Sequence, residues 1–284
     1  MDVQRVGVIG AGVIGVGVIQ DLAQTGHDVL VVDIDSGILE GAERTLRRTI
    51  RLHHLVAGTG RPLNVADVMG RIVFVTDLAL LADRQFVIEN VTEDWSVKRP
   101  LYEQLDRICP ESCVLAANTS VIPITKIAAV TSRPSNVVGM HFMNPVPLKP
   151  VVEVIRGHHT SDSTIEAATQ LLSQMNKSAI VVSDSPGFVS NRVLMLMINE
   201  AAFVLHEGVA SVASVDAIFK DCFGHPMGPL ETADLIGIDT ILWSIKGLQE
   251  GLGDSKYRPC PLLENMVTAG LLGRKSGKGF YAYE

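Results

Sequence analysis

Two groups of residues in this chain carry the makings of chemistry. The first is a histidine and a glutamate, His141 and Glu153, twelve positions apart. His141 closes the apolar run 137–139 and is followed by Phe142-Met143-Asn144-Pro145-Val146-Pro147, while Glu153 stands inside the apolar run 151–155. A chain that reverses at the two prolines returns Glu153 beside His141. A carboxylate next to an imidazole fixes one tautomer and raises the basicity of the other ring nitrogen. Such a histidine can take a hydroxyl proton while a hydride leaves the same carbon. A histidine alone reads as structural more often than catalytic. His53, His54, His158 and His159 have the look of loop or helix-surface residues, and His141 stands apart by its place at a strand end.

The second group is Gly10-Ala11-Gly12-Val13-Ile14-Gly15. It follows a short apolar strand and opens a helix that runs to about Thr25, with Gly26 as its stop. In that context each glycine has a task. Gly10 permits the tight turn, Gly12 lets backbone approach a pyrophosphate, and Gly15 lets helix and strand pack closely. The helix N-terminus, at Val13 and Ile14, offers N–H groups and a positive dipole end to phosphate. The next strand, 29–32, ends in Asp33, at the spacing where a carboxylate accepts the ribose hydroxyls of an adenosine and repels a 2′-phosphate. No lysine or arginine follows until Arg44. The pattern favours NAD over NADP.

These groups need a scaffold, and the sequence supplies one. β-Branched runs at 6–9, 29–32, 72–75, 86–88, 114–116 and 137–139 alternate with helical stretches, which predicts a parallel sheet covered on both faces. Two more strands are expected at 151–155 and 179–182, with a helix over 162–175 capped by Ser161. The pattern then changes. Ser185-Pro186 reads as a helix start, and a long apolar helix is expected from there to about Glu207, with Gly208 as its stop. Further helices are expected over 215–223, 239–249 and 262–269, and one late strand over 280–283. The fold class is therefore α/β. A Rossmann-type, doubly wound sheet over 1–184 binds the cofactor, and a smaller all-helical domain over 185–284 follows for substrate and dimerisation.

Composition agrees with two domains and narrows the partners. The chain has 284 residues, 47% of them hydrophobic, and a net charge of −7. An acidic surface excludes nucleic acid as the expected partner. The glycine-broken apolar start is neither a signal peptide nor a membrane span, so no membrane partner is expected and the cytoplasm is the expected compartment. The four cysteines, Cys109, Cys113, Cys222 and Cys260, fit neither a disulfide framework nor paired zinc spacing. They read as reduced thiols, and no metal is expected.

A series of stretches, taken in order, resembles the 3-hydroxyacyl-CoA dehydrogenase family, which includes the bacterial 3-hydroxybutyryl-CoA dehydrogenases. They are residues 8–17; Ile88-Glu89-Asn90-Val91-Thr92-Glu93 with Lys98 and then Asn118-Thr119-Ser120; 141–147; Ser185-Pro186-Gly187-Phe188-Val189-Ser190-Asn191-Arg192; Gly228-Pro229-Leu230-Glu231; and 272–281. The resemblance implies that His141 is the base and Glu153 its supporting carboxylate. It implies that Ser120 contacts the substrate oxygen and that Asn191 helps hold the reacting group. On residue type alone Ser120 would read as a cap and Asn191 as a helix-surface amide. The resemblance also puts Glu93, Lys98 and Asn118 near the nicotinamide half of NAD, and implies a homodimer and an (S)-3-hydroxy product.

The chain departs from the family where lysines after the second strand would meet the phosphates of CoA. Here the stretch 47–61 holds Arg47, Arg48, Arg51 and Arg61, no lysine, and a Gly58-Thr59-Gly60 turn. Arginine binds phosphate well, which makes Arg51 a substrate-binding candidate; a solvated helix face is the other reading. Leu148-Lys149-Pro150-Val151-Val152-Glu153, Glu231-Thr232-Ala233-Asp234 and residues 257–263 resemble a polyketide-associated subgroup that oxidises a hydroxyacyl group, such as glyceryl, on an acyl carrier protein. Acyl-CoA and acyl-carrier-protein thioesters therefore both stand as substrates. A non-catalytic NAD-binding sensor or structural protein would be expected to lack one of His141, Glu153, Ser120 or Asn191, and all four are present. A hydroxyacid dehydrogenase with a catalytic lysine on the long helix is disfavoured, because 186–199 contains no lysine.

Overall fold

A computed structural model describes residues 3–57 and 62–283. The turn at Gly58-Thr59-Gly60-Arg61 lies outside the described residues. The chain forms two compact units, divided between Asp184 and Ser185.

The first unit is built on eight strands: β1 Arg5–Ile9, β2 Asp28–Val32, β3 Ile72–Val75, β4 Phe86–Glu89, β5 Val114–Ala117, β6 Val137–His141, β7 Val151–Arg156 and β8 Ser178–Ser183. They form one sheet in the order β3-β2-β1-β4-β5-β6-β7-β8. All neighbours are parallel except β6 and β7. The first six strands have the doubly wound dinucleotide order, whose switch point falls between β1 and β4. Continuous apolar runs give strands buried on both faces, and every residue of β4 and β5 is buried. At the sheet edge β8 differs, with Ile180 and Val181 exposed. The helices are α1 Val13–Gln24, α2 Ser36–Ala57, α3 Val65–Met69, α4 Trp95–Ile108, α5 Ile124–Ala128 and α6 Asp162–Gln174. Ser161 caps α6 as expected, its side chain accepting from Thr164 N. Ile19, Leu22, Leu46, Ile88, Ala116, Val154 and Leu171 sit in one continuous core.

The second unit is helical: α7 Ser190–His206, α8 Val212–Ala217, α9 Pro229–Ile236, α10 Ile238–Leu252 and α11 Pro261–Thr268. Ile198, Ala202, Ala233, Ile241, Ile245 and Leu263 form its main core. Two expectations are corrected. The long helix starts at Ser190, not at Ser185-Pro186. Gly187 (φ 74°) and Phe188 (φ 50°) both adopt the left-handed region, which an α-helix cannot traverse. Phe188 N donates to Ser185 O at 2.9 Å, so the Ser-Pro signal opens a tight turn instead, and Phe188 is buried. The stop at Gly208, φ 72°, is as expected. The strand expected over 280–283 is replaced by isolated bridges, Gly273 with Lys278 and Lys278 with Ala282. The reason is a competing acceptor: Phe280 N and Tyr281 N both donate to the Asp234 carboxylate at 2.9 Å. Among the described residues no helix is long and apolar enough to cross a membrane.

Candidate active site

The residues that could do chemistry converge on the carboxyl edge of the sheet. His141 is the last residue of β6 and pairs in antiparallel register with Glu153 of β7. Side chains directly opposite in such a ladder share a face and lie within reach of one another. His141 Nδ1 is 3.0 Å from Glu153 Oε2, and both residues are buried. An ionised carboxylate can only accept, so Nδ1–H donates and the lone pair falls on Nε2. Ser120, just past β5, places Oγ 3.1 Å from that Nε2 and can donate to it. The line Ser120–His141–Glu153 is thus a continuous hydrogen-bonded chain across three neighbouring strand ends.

Asn118 and Glu93 build the wall around this chain. Asn118 Oδ1 accepts from Phe142 N at 3.2 Å, and its Nδ2 donates to Asn90 Oδ1 at 2.9 Å. Glu93 Oε1 accepts from Thr119 Oγ1 and from the amides of Ser120 (3.2 Å), Val121 (3.4 Å) and Ile122 (3.4 Å). One carboxylate therefore gathers the donors of the turn that presents Ser120. A cavity of about 380 Å³ is lined by Gly12, Val13 and Ile14 together with Glu93, Asn118, Ser120 and His141.

The opposite wall of this cavity is the glycine turn. Gly10 has φ 86°, and a Cβ there would come within 2.7 Å of Asn90 O. A Cβ on Gly15 would lie 2.0 Å from Gly10 O, whereas one on Gly12 would meet nothing within 4 Å. Gly12 therefore faces open space at the start of α1. That helix has no side-chain cap and no acidic residue in its first turn, so its first amides and dipole are presented to an anion. Asp33 at the end of β2 accepts from Ala11 N through Oδ2 at 2.8 Å. An uncapped helix start, open space at Gly12 and a carboxylate at the next strand end fit a dinucleotide.

Lys98 stands below this wall. Its side chain is closed off from solvent, with Nζ 2.6 Å from Glu89 Oε1 and donating to Asn118 O at 3.2 Å. Lys98 does not line the cavity. Burial pushes the Glu89 carboxyl up from its ordinary value against the pull of Lys98.

A second, mostly apolar cavity of about 740 Å³ shares Gly12 and Val13 with the first and runs between α1, α2 and residues 144–148. Arg48 and His53 line it; Arg51 is exposed on the same helix and does not. His53 is half-buried, with Nδ1 3.5 Å from Gln20 Nε2. That corrects the surface reading of His53, whereas His158 and His159 are exposed as expected. Asn191 occupies the first turn of α7 in the second unit and is half-buried.

Sequence reasoning missed Glu89, the clamp made by Glu93 and the cavity position of His53. All three depend on contacts between distant segments, and only an unpaired acid inside the strand 86–89 hinted at the first.

Fold and site together define a dinucleotide-dependent oxidoreductase of the doubly wound class. The family model described as 3-hydroxyacyl-CoA dehydrogenase, NAD binding domain, matches residues 5–185, and its C-terminal domain counterpart matches 187–283. A probable 3-hydroxybutyryl-CoA dehydrogenase of Deinococcus radiodurans is 48% identical over 280 residues, 98% of this chain and 100% of that protein. The 3-hydroxybutyryl-CoA dehydrogenase of Bradyrhizobium diazoefficiens is 43% identical, over 99% of this chain and 96% of its own. The crystal structure of (S)-3-hydroxybutyryl-CoA dehydrogenase from Ralstonia eutropha matches with a TM-score of 0.93 at 43% identity, covering 100% of both chains. The chain belongs to the 3-hydroxyacyl-CoA dehydrogenase family. It is an oxidoreductase, and its cofactor is NAD.

Proposed function

We propose that this protein interconverts a 3-hydroxyacyl-CoA, of the 3-hydroxybutyryl-CoA type, and its 3-oxo form, with His141 and Glu153 as the acid/base pair. The observation that carries the reading is the Ser120–His141–Glu153 chain, which opens into the cavity that the glycine turn also lines. NAD, when bound, supplies the acceptor for the hydride that leaves C3. The hydroxyl proton goes to His141 Nε2 as the C3–O bond becomes a carbonyl, and Glu153 stabilises the resulting imidazolium. Ser120 Oγ, within hydrogen-bond reach of the same nitrogen, holds the reacting oxygen there. Glu93 keeps the Ser120 turn in place, and Asn118 ties the residue after His141 to the end of β4 through Phe142 N and Asn90. In reverse, His141 returns its proton to the oxygen as hydride arrives, giving the (S)-3-hydroxy product. Asn191 is assigned to the acyl group.

The second cavity is assigned to the thioester's pantetheine arm. Its apolar walls suit an extended chain, and Arg48 is placed to meet phosphate. A homodimer belongs to the same reading and is supported by apolar side chains exposed on the helical unit, among them Val193, Val209 and Phe223. The test is NADH oxidation with acetoacetyl-CoA set against the same acyl group on an acyl carrier protein. Faster turnover of the CoA thioester, by a factor of about 10 or more in kcat/KM, is the expected result. Turnover of the carrier-protein thioester alone would replace the carrier and keep the hydride chemistry. Turnover of neither, with NADH still bound, would overturn the proposed 3-hydroxyacyl thioester substrate.

A further inference from the structure

Lys177 is a buried cation that the proposed chemistry does not use. It follows α6 and directly precedes β8, and its side chain is 4% exposed. Its Nζ lies 2.8 Å from Asp21 Oδ2 on α1, and it donates to Val146 O at 2.8 Å and to Lys149 O at 2.6 Å. An ammonium has three N–H donors; here two contacts are hydrogen bonds to backbone carbonyls and the third is an ion pair with Asp21. Such a group fixes the positions of its acceptors more firmly than one bond could.

The acceptors matter because of where they lie. Val146 and Lys149 belong to the connection between β6 and β7, and therefore between His141 and Glu153. That ladder has three rungs, Gly139 with Ile155, Met140 with Val154, and His141 with Glu153 as the last before the connection. A terminal rung of so short a ladder takes its geometry from the turn beside it. The ion-pair partner, Asp21, belongs to the helix whose first turn faces the dinucleotide space. That helix rests on the same turn, since a Cβ on Gly17 would come within 2.8 Å of Val146 Cβ.

We propose that Lys177 is a positioning residue: by tying α1 to the turn between β6 and β7, it sets where His141 and Glu153 stand relative to the bound cofactor. The proposal rests on the assignment of those two residues as the acid/base pair. Lys177 lines neither cavity, so its effect passes through the backbone carbonyls it holds. Displacement of a reacting group by about 1 Å costs on the order of 10²-fold in rate.

Removing one member of a buried ion pair leaves the other uncompensated, so the test removes both charges together. In Asp21→Asn/Lys177→Met, kcat for NADH oxidation by acetoacetyl-CoA is expected to fall about 10- to 100-fold. KM and the NADH Kd are expected to stay within about threefold, and the isotope effect from deuterated NADH should rise as hydride transfer becomes limiting. Asp21→Asn/Lys177→Gln keeps N–H donors for the two carbonyls and should recover part of the lost kcat. If the methionine double variant does not fold, the glutamine variant decides by the same kcat-against-KM split. An unchanged kcat in a folded double variant overturns the proposal. So does a parallel loss of kcat, NADH binding and melting temperature, which marks a general structural role. His141→Ala, assayed alongside, separates the two ideas: activity retained there removes the acid/base assignment itself, whatever the Lys177 variants do.

Discussion

The ammonium of Lys98 sits 2.6 Å from the carboxylate of Glu89, with neither side chain reaching solvent. Tyr102 OH donates to the second oxygen of Glu89 at 3.2 Å, and Val91 N donates to the first at 2.7 Å. The pair joins α4 to the end of β4, directly under the strand ends that carry the site. Loss of one partner from such a pair costs about 3–5 kcal/mol, because the other charge stays buried and unpaired. Lys98→Met should therefore lower the unfolding free energy in urea by that amount, and Glu89→Gln/Lys98→Met should restore most of it. A single variant within about 1 kcal/mol of wild type would show that the pair is not closed off from water.

Asp33 follows β2, the position proposed for the carboxylate that meets the adenosine ribose, and accepts from Ala11 N. Replacing its carboxylate and adding a guanidinium beside it, as Asp33→Ser/Ile34→Arg, should shift the ratio of kcat/KM for NADPH over NADH upward by at least about tenfold, the equivalent of roughly 1.4 kcal/mol. Steady-state assays with both cofactors measure it. An unmoved ratio would mean that Asp33 does not face the ribose.

Glu93 holds the Ser120 turn through one oxygen that gathers four donors. Hydrogen bonds to a charged acceptor contribute about 1.5–3 kcal/mol. Glu93→Gln should lower kcat about tenfold, and Ser120→Ala by a similar factor. The two together should fall short of the product of the single effects, because both act on one turn. Full additivity in the double variant would argue against a shared role.

The C-terminal segment is tied down by tyrosines. Tyr283 OH donates to Asp234 and Tyr281 OH to Asp216. Burial, with Asp234 as hydrogen-bond acceptor, pushes Tyr283 up to about 12, and burial with Asp216 pushes Tyr281 up as well. For a group whose folded-state value exceeds its unfolded one, the stability is fully present below the unfolded value and is lost as pH rises through the folded one. Unfolding midpoints should thus decline between pH 10 and about 12, and Tyr281→Phe/Tyr283→Phe should flatten that decline. Equal slopes in wild type and variant would contradict the assignment.

The parts of this molecule that were legible in the sequence are those governed by local pattern. Eight apolar runs gave eight strands, and for the central ones the reason is that strands buried on both faces must be apolar throughout. The pairing of His141 with Glu153 could be inferred from a strand end, a proline reversal and a second strand. Contacts between remote segments were not legible. Lys98 was expected near the nicotinamide half of NAD, but its buried pairing with Glu89 was not foreseen. Lys177 finds its carbonyls 31 and 28 residues away and carries no local signal at all. The Ser185-Pro186 signal misled because Gly187 and Phe188 turn the chain before α7 can begin. The run 280–283 looked like a strand because nothing local reveals that Asp234, 46 residues earlier, takes its amides.

The account turns on His141 as the proton donor and acceptor, and one assay tests it most directly: single-turnover NADH oxidation with acetoacetyl-CoA, comparing wild type, His141→Ala and Glu153→Gln, with NADH binding measured on each. The expected result is rapid oxidation by wild type, a loss of about 10²–10⁴-fold in the histidine variant, a smaller loss in the glutamine variant, and NADH affinity unchanged in all three. Oxidation by His141→Ala within tenfold of wild type would contradict the account, since the proton would then be moving through another group.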